Sequence, residues 1–380
     1  VLIPDLDDLR QRRSAKWRAY GPDVLPAWIA EMDYPLAEPI ARALHAAVDR
    51  SDTGYAWSAD LPSAAAAFAS RRWGWAFDPE PCVVVPDVLT AIAVCLRYGT
   101  RPGDAVVITP PVYPPFFSTT TDVADRAVVE APLDHGDDGT YSYDLDALAR
   151  AFARPDVTAF LLCHPHNPTG LVADREVLAP IAALAREHGV LVLSDEIHAP
   201  LTLPGTEHVP YLSVAGPDAH AIALVSASKA WNLAGLKASV IVPTASAAER
   251  ITGHIPLEHV FSTGHLGVIA AEAAYRDGLP WLEEVRGLLD VQRALLGELL
   301  AEHLPRARYA PPAASYLAWV DLRAYGLGED PAALLLERAR LAVSAGPTFG
   351  REGAGFVRLN IATSPELLSE FVTRLASVVQ

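Results

Sequence analysis

The chain is poor in several residue types, and each scarcity narrows what it can be. Three cysteines in 380 residues (Cys82, Cys95 and Cys163) are too few for a disulfide framework, and none forms a Cys-x-x-Cys pair. A reducing compartment, the cytoplasm, is the expectation. Positive charge is also short: 30 Lys+Arg stand against 46 Asp+Glu, for a net charge of −16. A nucleic-acid binder must offer phosphates a basic face, which argues against that class. No uninterrupted apolar run reaches the roughly 18 residues of a membrane-spanning helix. Val1 to Asp8 hold no basic segment followed by a long apolar stretch, so no secretory signal is expected. Gly-x-Gly-x-x-Gly and the phosphate-binding P-loop pattern are absent, and nucleotide folds with those fingerprints lose support. Lysine is the rarest basic residue, with only Lys16, Lys229 and Lys237. Each of them is worth placing.

What is present is apolar: 51% of the residues are hydrophobic, in a chain long enough for two domains or one large one. β-Branched runs predict strands at Cys82 to Val85, Ala105 to Thr109, Arg126 to Glu130, Ala159 to Cys163, Val190 to Ser194, Ala221 to Ser226 and Ala238 to Val242. Most are nearly continuous apolar runs, as in strands buried on both faces. Helical spacing fits between them at Val88 to Tyr98, Asp144 to Ala153 and Asp174 to His188, with Asp174 as N-cap. Such alternation predicts an α/β fold with a mostly parallel sheet flanked by helices. After Pro243 long helices are expected at Gly264 to Arg276 and Pro280 to His303. Strands at Tyr316 to Asp321, Leu341 to Ser344 and Phe356 to Ile361 follow, then a closing helix from Pro365. The expected division is a large α/β domain over 50–275 and a smaller α+β domain from 1–49 and 276–380.

Three polar clusters fall at the C-terminal ends of predicted strands, the edge where open α/β sheets bind ligands. Ser226-Ala-Ser228-Lys229 follows one apolar strand. A lysine there is open to desolvation, which lowers an amine's pKa and equips it to form a Schiff base. On this segment alone a solvated surface lysine reads equally well. Ser194-Asp195-Glu196-Ile197-His198 follows another strand, and a carboxylate at a buried strand end needs a cationic partner. The third cluster is His164-Pro-His166-Asn167-Pro-Thr-Gly170, whose prolines and glycine fix a turn presenting the Asn167 amide. Its His-x-His pair has no further ligand cluster at suitable spacing, so no metal is expected.

Asn-Pro-x-Gly, then Asp195 about 28 residues on, then Ser-x-Ser-Lys about 34 further, resembles the fold-type I pyridoxal-phosphate enzymes of the class I/II aminotransferase superfamily. The resemblance runs over essentially the whole chain and implies the aspartate-aminotransferase-like fold, with pyridoxal 5′-phosphate as cofactor. It implies that Lys229 forms the Schiff base and shuttles protons, and that Asp195 pairs with the ring nitrogen, keeping the ring an electron sink. Asn167 would bond the ring's 3-oxygen beside the substrate, with His198 close to the cofactor and Tyr113 stacked on its ring. The turn Pro86-Asp87-Val88-Leu89-Thr90 opens a helix, and its free N–H groups suit the phosphate. Val88, Leu89 and Thr90 would join Ser226, Ser228 and Lys237 there. Arg358, in Gly-Phe-Val-Arg-Leu-Asn, matches the arginine whose fork grips the substrate carboxylate.

Two local features narrow the reaction. Ala30-Glu31-Met32-Asp33-Tyr34-Pro35 is similar to the "ADMDFP" segment of the cystathionine β-lyase subfamily, with Glu for the first Asp and Tyr for Phe. Asp-Glu-Ile-His198 also resembles that branch, where many transaminases place Tyr. The implied reaction is β-elimination from cystathionine or an S-substituted cysteine, giving a thiol, pyruvate and ammonia. Transamination is the alternative. A ligand-sensing regulator would need a DNA-binding appendage, for which the enzyme-like fold leaves no room. Tyr55, in Thr-Gly-Tyr-Ala-Trp57, matches a tyrosine that crosses from a neighbouring subunit, implying a homodimer with shared active sites. Tyr55 would then serve catalysis and substrate binding, with Trp57 lining the substrate pocket.

Overall fold

A computed structural model describes residues 1–379. Its principal sheet has seven strands: β1 Val83–Val85, β2 Ala105–Ile108, β3 Ala127–Glu130, β4 Val157–Cys163, β5 Leu191–Asp195, β6 Ala221–Val225 and β7 Ser239–Pro243. Their order across the sheet is β1-β7-β6-β5-β4-β2-β3. Only β7 runs antiparallel to its neighbours. Every strand expected from the apolar runs is here, shifted by a residue or two at its ends.

The continuous apolar runs arise because both faces of the sheet are covered. Ala159, Leu161 and Cys163 of β4 pack with Val88, Ile92 and Leu96 of the Val88–Gly99 helix on one side. Phe160 and Leu162 point the other way, into a layer built by the Leu145–Phe152 and Arg175–His188 helices. Those helices start where their capping residues dictate. Asp87, Asp144 and Asp174 each accept a backbone N–H of the first turn on the side chain. Gly189 ends the third in a left-handed conformation (φ 69°).

The C-terminal part builds a four-stranded antiparallel sheet from β8 Arg308–Tyr309, β9 Leu317–Asp321, β10 Ser344–Ala345 and β11 Phe356–Asn360, ordered β8-β9-β11-β10. The single strand expected at Leu341 to Ser344 is in fact two. Leu341 and Ala342 pair in parallel with Leu25 and Pro26, whereas Ser344 and Ala345 pair with β11. The chain changes partner at Val343 because the N-terminal segment reaches across to cover it. The Leu279–His303 helix packs along the closing Pro365–Ala376 helix, and His265–Asp277 packs on Glu38–Asp49 and Leu61–Trp73. A hairpin of Asp134–His135 with Tyr141–Ser142 escaped the sequence reading, since its strands carry no apolar alternation. Among the described residues no helix is long and apolar enough to cross a membrane.

Candidate active site

Strands β4, β5 and β6 end at one edge of the sheet in register: Cys163 pairs with Asp195, and Asp195 with Leu224. The three polar clusters leave the sheet at that edge. They enclose a cavity of about 240 Å³ bordered by Asn167, Asp195, His198, Ser228, Lys229 and Arg358, with Val88, Leu89, Tyr113 and Lys237 completing its wall. Parallel strands thus bring together side chains that lie far apart in the chain.

Lys229 Nζ donates to the Ala30 carbonyl at 3.1 Å. Burial, with Arg358 nearby, lowers its pKa to about 8 against the pull of Asp195 and Glu31. Asp195 is pushed the other way, up to about 7, chiefly by burial. One of its oxygens accepts the Ile197 N–H at 3.1 Å, and no other hydrogen bond from the described residues reaches the carboxylate. A buried carboxylate so thinly partnered is suited to a cationic N–H from a ligand.

Arg358 lies on β11 and reaches the cavity from the smaller sheet. Its Nη1 donates to Asn167 Oδ1 at 2.9 Å, and its Nη2 to the Trp28 carbonyl at 3.1 Å and Ser344 Oγ at 3.0 Å. Phe349 supports the guanidinium from 4.9 Å. Burial lowers even this group to about 10. Because Arg358 occupies Asn167 Oδ1, the amide offers its N–H₂ to a ligand's acceptor oxygen. His198 borders the cavity with its ring nitrogen Nδ1 buried and without a partner among the described residues, and burial lowers its pKa to about 3. It is neutral at working pH.

One end of the cavity lies at the start of the Val88–Gly99 helix. Asp87 caps the helix through Thr90 N–H at 2.8 Å and pairs with Lys237 Nζ at 2.9 Å. Thr90 is therefore engaged with Asp87 and does not border the cavity, whereas Val88 and Leu89 do. Ser226 lies outside the cavity wall as well. Its hydroxyl donates to the Ala238 carbonyl at 2.7 Å, and its oxygen accepts the Ser228 N–H at 3.2 Å. Tyr55 and Trp57 stand apart from the cavity, 86% and 74% exposed in the single chain. His164 and His166 hold backbone carbonyls, Val209 and Thr109 respectively.

Several contributors carry no side-chain signal in the sequence. Ile29 and Ala30 border the cavity, and the Ala30 carbonyl also accepts the Tyr316 hydroxyl at 3.1 Å. Asn360 holds the same strap through the Ile29 and Glu31 carbonyls. Lys16 Nζ pairs with Asp33 Oδ1 at 2.7 Å, both side chains 1% exposed, and Asn232 brackets the Met32 backbone. The Ala30–Pro35 segment is thereby tied to the Lys229 loop.

A half-buried lysine, a buried carboxylate, a buried guanidinium and a helix N-terminus border one cavity in an aspartate-aminotransferase-like α/β architecture. The chain belongs to the class I and II aminotransferase family, whose profile matches residues 24–375. It is 44% identical to a putative cystathionine beta-lyase of Mycobacterium leprae, covering 97% of this chain and 96% of that protein. It is 34% identical to the cystathionine beta-lyase PatB of Bacillus subtilis, covering 98% and 99%. Among solved structures, a putative PLP-dependent β-cystathionase of Corynebacterium diphtheriae superposes with a TM-score of 0.92 at 34% identity, over 99% of this chain and 98% of the other. The PLP-bound C-S lyase of Staphylococcus hominis superposes at 0.91 and 27% identity, over 100% and 98%.

Proposed function

We propose that the protein is a pyridoxal-phosphate-dependent carbon–sulfur β-lyase acting on cystathionine or another S-substituted L-cysteine. The carrying observation is Lys229, half-buried with its pKa lowered to about 8, in one cavity with Asp195 and Arg358. The donor set fits the cofactor: an amine for its aldehyde, a carboxylate for its ring nitrogen, the Asn167 N–H₂ for its 3-oxygen, and helix N–H groups with Ser228 and Lys237 for its phosphate. Tyr113 and His198 border the ring's place. When bound, the cofactor supplies an electron sink for the pair released at the substrate's α-carbon.

The chain's own groups do the rest. Arg358, its fork fixed by Asn167, Trp28 and Ser344, takes the α-carboxylate and sets the substrate's orientation. Lys229 removes the α-proton, and its ammonium then serves as the acid for the departing sulfur. The balance is one S-substituted cysteine plus one water giving thiol, pyruvate and ammonium. The strap at Ile29 and Ala30 shields the reacting centre from water.

We place the cofactor on the large unit, 50–275, with 1–49 and 276–380 closing over it, and place the enzyme in the cytoplasm as a homodimer. Three free cysteines support the first location. The exposure of Tyr55 and Trp57, with Phe261 against Tyr55 at 6.2 Å between ring centroids, supports the second. Tyr55 then reaches the partner's site, with Trp57 beside it. The deciding assay incubates purified enzyme with cystathionine and S-alkyl cysteines. Stoichiometric thiol and pyruvate, without an added keto acid, is the expected result. A requirement for a 2-oxo acid, with a new amino acid formed, would establish transamination instead.

A further inference from the structure

Immediately after Asp195 the fold buries a second carboxylate that the proposed reaction leaves unused. Glu196 is 1% exposed and lies where β5 leaves the sheet. One of its oxygens, Oε1, accepts the Ser194 hydroxyl and the Tyr211 backbone N–H, each at 2.9 Å. The other, Oε2, is 2.9 Å from His208 Nε2. A proton on Glu196 Oε1 would cost the Ser194 hydroxyl its donor role, and one on Oε2 would have to aim at that nitrogen. The imidazole's own proton would then sit on Nδ1, which is buried without a partner among the described residues. An ionised Glu196 facing a neutral imidazole that donates from Nε2 orphans no N–H.

Among the described residues no Lys or Arg pairs with Glu196, and its side-chain ring partner is His208. His208 is held down to about 3 by burial, stacked on His164 at 4.6 Å and edge-on to Trp73 at 5.1 Å between centroids. His164 is likewise held down to about 3. Burial pushes Glu196 up to about 7, and the Ser194 and Tyr211 donors oppose that push, as does His164. Around Asp195 the other facing groups are the Ile197 N–H and Lys229, which favour its charge, and Cys163 beside it on β4. Glu196 acts in the opposite sense and raises the proton affinity of Asp195.

We propose that Glu196 is a positioning residue for the cofactor's ring nitrogen: its charge, held by Ser194, Tyr211 and His208, adds to that of Asp195 to keep that nitrogen protonated. This rests on the cofactor reading above. Two adjacent buried carboxylates compete for relief, and a proton on the ring nitrogen relieves both. With a neutral residue at 196, Asp195 alone would hold that proton.

The test uses holoenzyme reconstituted with cofactor labelled with ¹⁵N in the ring, as wild type, Glu196→Gln and Ser194→Ala. The ¹⁵N chemical shift is followed against pH, with cofactor stoichiometry and circular dichroism as checks on folding. In Glu196→Gln the deprotonation midpoint should fall by about one pH unit, and at fixed pH the shift should move toward the unprotonated value. Ser194→Ala, which removes one donor, should move it the same way by less, and carries the test if the first variant fails to fold. The kcat should fall more than the KM changes. Fully loaded, folded variants with an unmoved ¹⁵N titration overturn the role of Glu196 alone. Wild-type protein that takes up no cofactor overturns the underlying reading, and the proposal with it.

Discussion

At the scale of the residue, each of the three lysines has a definite place and partner. Lys16 is the buried partner of Asp33, Lys229 the amine in the cavity, and Lys237 the partner of Asp87 at the start of the Val88–Gly99 helix. Lys16 and Lys229 are withdrawn from the surface, and Lys237 is exposed but ion-paired. Arg358 shows why charge alone does not define a site. Its three hydrogen bonds, to Asn167, Trp28 and Ser344, hold a planar fork in one orientation. Arg358→Lys keeps the charge and loses the fork, so kcat/KM should fall roughly 30-fold, about 2 kcal/mol, with much of the loss in KM. Steady-state kinetics with one S-alkyl cysteine would show it. An unchanged KM and kcat would mean that Arg358 does not grip the carboxylate.

At the scale of the element, the loop carrying Lys237 is held by close backbone approach. The His265–Asp277 helix begins against it, and a Cβ built on Gly267 would lie 2.1 Å from the Leu236 carbonyl oxygen. Neither partner is a flexible side-chain tip, so relief requires the helix or the loop to move. Gly267→Ala should destabilise the protein by about 2 kcal/mol. It should also weaken cofactor retention more than a remote lesion of equal cost, because Lys237 moves with Leu236. Paired measurements of denaturant midpoint and cofactor affinity separate the two effects. Full affinity in a destabilised variant would detach this loop from the anion site.

At the scale of the whole molecule, the buried histidines set the acid limit. His164, His166, His198 and His208 are each lowered to about 3, mainly by burial. In the unfolded chain they take up protons below about pH 6.5. Between about pH 6.5 and 4.5 the unfolded state therefore binds about four more protons at these positions. Asp195 and Glu196, raised to about 7, work the other way: below that pH the native state takes up protons there, Glu196 losing the charge it carries above it, while the unfolded chain has released them. The balance of about two protons makes stability fall with acidification, by up to about 3 kcal/mol per pH unit. Thermal unfolding of the cofactor-free enzyme should show Tm dropping steadily from pH 6.5 to 4.5. A flat profile would mean the histidines ionise in place. Assembly has its own test. Lys229→Ala and Tyr55→Ala, each nearly inactive alone, should regain roughly a quarter of wild-type sites when co-expressed, because random pairing puts both lesions in one site of each mixed dimer. No recovery in confirmed mixed dimers would place Tyr55 in its own chain's site.

The linear order of residues by itself determined the α/β class, the seven strands of the main sheet and the family. Those features repeat locally: apolar runs mark strands covered on both faces, and a few motifs stand directly after them. It also marked Lys229, Asp195 and Asn167 as candidates, because charge or amide at a strand end has few structural uses, and Arg358 through the family resemblance. Only the tertiary structure decided which of the marked groups share a cavity. Ser226 and Thr90 sit in the right motifs yet turn to Ala238 and Asp87, since a hydroxyl or N–H takes the nearest partner that folding supplies. The Ala30 carbonyl, the Ser344 support of Arg358 and the Glu196–His208 pair were illegible beforehand. Backbone groups look alike at every position, and such contacts join segments that meet only when the two sheets pack. Burial, the cause of the displaced pKa of Lys229 and Asp195, is likewise a property of the folded whole.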